Sequence, residues 1–186
     1  MHTEQLVARA VAPVLEIIDD IKPDRLDAPT PCAEFDVRRL IRHLLFWGPS
    51  LEAAARKELV TPAGAEAETD LDDWQARLTA QLERTASAWS APDAWTGVTR
   101  LGSPQEMPAG VIGGMTVGEM LVHGWDLATG VGRRVEWDDD VLAFVHHDLL
   151  GSAEMGREMG LFGPEVPVPA DAPLLDRILG LTGRKA

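Results

Sequence analysis

Apolar side chains recur at three- and four-residue intervals along most of this chain, while runs of β-branched or aromatic residues with two-residue alternation are almost absent. That periodicity predicts an all-α fold. A first helix is expected from about Glu4 to Ile21, with Leu6, Val7, Ala10, Val14, Ile17 and Ile18 as its apolar stripe, a kink or late start at Pro13, and a stop at Pro23. Asp36 then offers an N-cap to a second helix in which Val37, Leu40, Ile41, Leu44 and Leu45 share a face, ending between Lys57 and Val60. A loop over TPAGAEAETD leads to a third helix from Asp70 to about Trp89.

Between Ser90 and Gly114 the period disappears into a Pro- and Gly-rich passage in which VTRL could form a short strand. Gly113-Gly114 is read as the end of that loop. A fourth helix follows from about Met115 to Thr129, halted by Gly130 and Gly132. Asp138, Asp139 and Asp140 place negative charge at the start of a fifth helix running to about Met159. The Pro-rich tail is extended and ends in a short helix from Pro173. Amphipathic helices of this length make a bundle the economical architecture, here a single domain over residues 1–186, and bundles build metal sites from side chains on facing helices.

The fourth helix carries the chemistry. In MTVGEMLVHGWDLATG, Glu119, Val122, His123 and Asp126 fall within about a quarter of the helical circumference, and the other faces are apolar. A helix apolar nearly all round is buried, and burying two acids and an imidazole along one stripe demands a neutralising partner. A divalent cation fits, because Glu and His at i and i+4 can share one ion. The spacing alone also fits a surface pair or a satisfied core histidine. A third ligand is available from the second helix, where His43 lies at the edge of the apolar face between Leu40 and Trp47. Two histidines and one carboxylate would leave coordination positions open, as catalytic sites do. Asp126 is expected behind a ligand histidine or paired with an arginine. His146 and His147, adjacent on the fifth helix, point about 100° apart and are expected in solvent. His2 is expected to lie outside the fold, Cys32 is expected to be a buried turn thiol, and Trp47 and Trp125 could wall a pocket.

Charge and cysteine usage narrow the classes further. Thirty acidic against seventeen basic residues give a net charge of −13, which opposes general binding to nucleic-acid backbones. Cys32 is the single cysteine, so an internal disulfide and a multi-cysteine zinc site are excluded. No segment approaches the roughly 18–20 uninterrupted apolar residues of a membrane span, and the N-terminus lacks a basic region followed by an apolar one. A cytoplasmic location is the expectation.

Three ordered segments carry a family resemblance. TPCAEFDVRRLIRHL resembles the TPC-x-x-W-D-V-x-x-L-x-x-H-L signature of the actinobacterial DinB/YfiT-like metalloenzymes, a group that includes the metal-binding domain of mycothiol-dependent maleylpyruvate isomerase. MTVGEMLVHGWDLATGVGR resembles their E-x-x-x-H-x-W-D-L-A segment, and FGPEVPVPADAPLLDRILGLTGR resembles the tail of their shorter members. The resemblance implies a four-helix bundle with an extra short C-terminal helix and a long loop before the fourth helix. It also implies a metal held by His43, Glu119 and His123, the residues that helix geometry selects. The ion would be zinc, with nickel the alternative, and the cosubstrate a small-molecule thiol such as mycothiol, activated towards an electrophilic substrate in a transferase or isomerase reaction. A homodimer is compatible with this reading. Phe35 stands where the family has Trp, FWGP follows where relatives have small residues, and no counterpart of the isomerase's additional C-terminal domain is present, which argues against maleylpyruvate isomerisation itself. Two other readings remain at this stage: a non-catalytic metal-binding or ligand-sensing stress protein, and a metal-dependent hydrolase with Asp126 or Glu106 as base.

Overall fold

A computed structural model describes residues 2–186. Six α-helices and one two-stranded sheet are present among them: α1 (Leu6–Ile18), α2 (Val37–Ala55), α3 (Trp74–Trp89), β1 (Val98–Arg100), β2 (Glu106–Pro108), α4 (Ala109–Gly130), α5 (Asp139–Glu158) and α6 (Leu174–Leu181). Helices α1 to α4 form the expected bundle, in which α1 and α2 each lie between α3 and α4. Helix α5 packs on the outside of α4, and α6 on α5. Their apolar stripes meet in one core built from Leu6, Ile18, Leu40, Ile41, Leu78, Trp89, Leu121 and Leu127, all essentially inaccessible. No helix among the described residues is long and apolar enough to cross a membrane.

Local chemistry explains where the elements start and stop. The Asp36 side chain accepts from the Arg39 amide at 2.7 Å, which satisfies one of the free donors at the start of α2. Asp138 does the same for Val141 at the start of α5. Helix α2 ends at Ala55, before the expected Lys57 to Val60, because Lys57 turns into the left-handed region at φ 62° and Glu58 bonds back to Ala53. Helix α1 runs unbroken across Pro13 from Leu6, with a 3-10 turn over Thr3–Gln5 ahead of it. Helix α3 begins at Trp74, four residues after the expected Asp70, because Asp73 at φ 49° breaks the helical path there.

The largest departure lies before α4. The irregular passage contains a 3-10 turn (Pro92–Trp95) and an antiparallel hairpin in which Thr99 pairs with Met107. Thr99 Oγ1 donates to the Ala54 carbonyl at 2.6 Å and ties the hairpin to the end of α2. Helix α4 then begins at Ala109, six residues before the expected Met115, and runs straight through Gly113-Gly114. Those glycines make room for neighbours and do not reverse the chain. A Cβ on Gly113 would sit 2.4 Å from the Trp95 ring, and one on Gly114 would sit 2.9 Å from Asp148.

Candidate metal centre

His43 lies on α2, two turns past the Asp36 cap, where its side chain is 18% exposed. Glu119 and His123 lie one turn apart on α4, the helix packed beside α2. The bundle brings all three together: His43 Nε2 is 2.8 Å and His123 Nε2 3.4 Å from Glu119 Oε1, and one donor atom from each residue lies within 4.8 Å of the others. The imidazole rings meet edge to face, 5.3 Å between centroids. Phe35 covers both, at 4.9 Å from the His43 ring and 5.8 Å from the His123 ring, and gives the site an aromatic wall.

Each histidine is held from behind by a second carboxylate. His43 Nδ1 donates to Glu66 Oε2 at 3.2 Å, and the Trp47 indole donates to that same oxygen at 3.2 Å. His123 Nδ1 donates to Asp126 Oδ2 at 2.9 Å. A carboxylate only accepts, so both Nδ1 atoms carry hydrogen, His43 Nε2 donates to Glu119 as well, and both Nε2 atoms face inward. Carboxylates behind ligand histidines are the usual means by which proteins fix the tautomer and ring orientation of a metal-binding imidazole. Asp126 is fully buried, and Arg184 from the C-terminal segment grips it with Nε at 3.3 Å and Nη2 at 2.8 Å. Asp126 thus stands behind His123 and is paired with an arginine at once.

The electrostatics follow from this crowding. Burial disfavours a charged His43, but the hydrogen bond to Glu119 and the charges of Glu119 and Glu66 outweigh it and raise its pKa. Burial likewise disfavours the Glu119 carboxylate, yet the charge of His123 and the hydrogen bond from His43 bring it down to about 2. Glu66, Glu119 and Asp126 against Arg184 leave two negative charges when both imidazoles are neutral. A divalent ion would balance them. A tetrahedral site with bonds of about 2.1 Å spaces its ligand atoms about 3.4 Å apart; His123 Nε2 stands at 3.4 Å from Glu119 Oε1 and His43 Nε2 at 2.8 Å, so the donor set fits such an ion once His43 and Glu119 part slightly.

The remaining candidates fall elsewhere. His146 is half-buried and His147 exposed on α5, and neither joins the cluster. His2 is exposed, near Glu4. Cys32 is a half-buried free thiol whose pKa burial pushes up. Trp47 reaches the site through Glu66, while Trp125 packs against the core. Of the two bases considered for hydrolysis, Glu106 is exposed on β2 and paired with Arg100, and Asp126 is committed to His123 and Arg184. A shallow concavity at Asp20, Lys22, Arg25 and Arg133 offers no comparable set, since Arg133 is paired with Asp20 and Arg25 with the Gly130 carbonyl. Sequence reasoning missed Glu66 and Arg184. Glu66 lay in a loop with two other acids, Glu68 and Asp70, and Arg184 in a tail where no periodic pattern points inward.

Comparison with known proteins agrees with this architecture. The family model of the mycothiol maleylpyruvate isomerase N-terminal domain matches residues 7–128, a span that contains His43, Glu119 and His123. Two uncharacterized proteins of Mycobacterium tuberculosis, from strains CDC 1551 / Oshkosh and ATCC 25618 / H37Rv, are each 24% identical to the chain over 171 residues, covering 90% of it and 90% of the relative. No solved structure matches significantly.

Proposed function

The chain belongs to the mycothiol maleylpyruvate isomerase N-terminal domain family, and on that premise we propose that it is a metal-dependent enzyme that activates a low-molecular-weight thiol for transfer or isomerisation chemistry on an electrophile. The reading assigns His43, Glu119 and His123 as ligands, zinc as the ion with nickel the alternative, and a thiol such as mycothiol as cosubstrate. One observation carries it: two imidazoles, each pinned at Nδ1 by its own carboxylate, turn their Nε2 atoms towards a shared glutamate.

When bound, a divalent ion supplies a Lewis acid that lowers the pKa of a coordinating thiol. The chain supplies the geometry. Glu66 and Asp126 hold hydrogen on the Nδ1 atoms, so Nε2 is the nitrogen that would give up its proton, in His43 the one now shared with Glu119, when an ion binds. Trp47 fixes Glu66 against rotation, and Phe35 shields the imidazoles from water on one side. With three protein donors, at least one coordination position stays open for the thiol sulfur.

Elemental analysis of protein purified without a histidine tag should find about one zinc or nickel per chain. The loaded protein should consume an electrophile such as a maleyl compound or chloro-dinitrobenzene only when a low-molecular-weight thiol is present. Stoichiometric metal with no thiol-dependent turnover across mycothiol, bacillithiol, glutathione and cysteine would reduce the function to metal binding.

A further inference from the structure

Arg184 lies beyond the residues that the family model matches, near the end of the chain, yet it is one of the most enclosed charged side chains, at 5% exposure. Every polar group of its guanidinium is engaged inside the fold: Nε and Nη2 on the two Asp126 oxygens, and Nη1 on the Thr182 carbonyl at 2.8 Å. Its delivery is built into the backbone. Helix α6 closes on Gly183 at φ 80°, the Arg184 amide bonds back to Leu179 at 2.8 Å, and Gly183 lies so close to the Gly163 backbone that a Cβ would stand 2.8 Å away. The Asp126 oxygen that accepts from Arg184 Nη2 is the same Oδ2 that accepts from His123 Nδ1. One oxygen therefore joins the C-terminal segment to a ligand histidine.

We propose that Arg184 is a positioning residue of the metal centre, and that docking of the C-terminal segment and metal binding are thermodynamically coupled through the Arg184–Asp126–His123 chain. The inference rests on the assignment of His43, Glu119 and His123 as ligands. Without the guanidinium, Asp126 can rotate and the His123 ring loses its fixed direction. Because coupling is reciprocal, an ion held by His123 holds the tail down by the factor with which the tail raises metal affinity.

The test uses the full-length protein with Zn2+ and Co2+ alone. Arg184→Gln should bind Zn2+ about 10-fold more weakly in competition with a chromophoric chelator, the lower end of what loss of a supporting partner behind a ligand costs. Its Co2+ complex should show visible bands altered from those of the wild type. Arg184→Lys, which keeps the charge but loses the two-pronged grip, should fall between them. In the wild type, saturating Zn2+ should slow amide exchange over residues 179–184 by a similar factor of about 10. That measurement needs no variant, so it decides the matter even if Arg184→Gln does not fold. Unchanged Zn2+ affinity in both variants, or tail exchange indifferent to metal in the wild type, overturns the coupling. His43→Ala separates the two levels: if it binds Zn2+ as the wild type does, the ligand assignment itself is wrong and the coupling falls with it.

Discussion

Glu66 Oε2 stands 3.2 Å from His43 Nδ1 although the two residues are twenty-three positions apart, one on a 3-10 turn and the other in the middle of α2. The loop that carries Glu66 is therefore part of the site. Replacing Glu66 with Gln keeps the size but removes the charge, and metal affinity should fall about 10-fold. Thermal stability should drop by no more than about 1 kcal/mol, since the side chain is partly exposed. Chelator competition and a melting curve of the metal-free protein separate these effects.

Asp126 should behave differently. Asp126→Ala removes the partner of a buried guanidinium and should destabilise the metal-free protein by about 3–5 kcal/mol. Asp126→Asn retains an acceptor and should cost less stability while still lowering metal affinity by about 10–100-fold. Equal affinities for Asp126→Asn and wild type would mean that His123 needs no support from behind.

The proposed assignment of His43, Glu119 and His123 as metal ligands predicts a metal-dependent stability. Metal at 100 times its dissociation constant should raise the unfolding free energy by about 2.7 kcal/mol, and His43→Ala, Glu119→Ala and His123→Ala should each abolish that gain. Differential scanning calorimetry with and without Zn2+ measures it. A gain that survives in His123→Ala would place the ion elsewhere.

The pH dependence has two limbs in the metal-free protein. Glu119, lowered from 4.5 to about 2, contributes stability that is present above pH 4.5 and lost as the pH falls towards 2. His43, raised above 6.5, contributes stability that is present below pH 6.5 and lost as the pH rises through its folded value. Chemical denaturation from pH 2 to 9 should show both losses in the wild type and both diminished in His43→Ala. Metal binding must displace the His43 proton, so affinity should climb with pH and level off above 6.5. Levelling below pH 6 would contradict the raised value.

Gly183→Ala tests the turn that delivers Arg184. A positive φ together with a 2.8 Å approach to the Gly163 backbone should cost about 2–3 kcal/mol, or roughly 4–12 °C in Tm. Gly132→Ala has a similar φ but nothing within 4 Å of the added carbon, so it should cost about 1 kcal/mol.

Much of this molecule was legible from periodicity. The apolar stripes of α1, α2 and α4 locate the core, and the i, i+4 spacing of Glu119 and His123 puts both on one face of α4 facing α2. What failed was local. Gly113-Gly114 reads as a loop because glycine lowers helix propensity, and only the Trp95 ring and Asp148 side chain against them show why small residues belong inside that helix. Glu66 and Arg184 escaped notice because non-periodic segments do not say which of their charges turn inward. Their partners lie 23 and 58 positions away in the chain, and the fold alone makes those pairs.

Helix α4 lacks side chains at Gly113, Gly114, Gly124 and Gly130, and into those gaps fit Trp95, Asp148, the Val14–Trp137 pair and Val37. Neighbours from several directions thus lock its rotation like the teeth around a keyed shaft. Turning the helix by a residue would bring Cβ-bearing positions against those neighbours, so packing constrains the azimuth of Glu119 and His123. Variation in the shape of the site is then easier at the rim, at Phe35 and the loop bearing Glu66, than along the shaft itself.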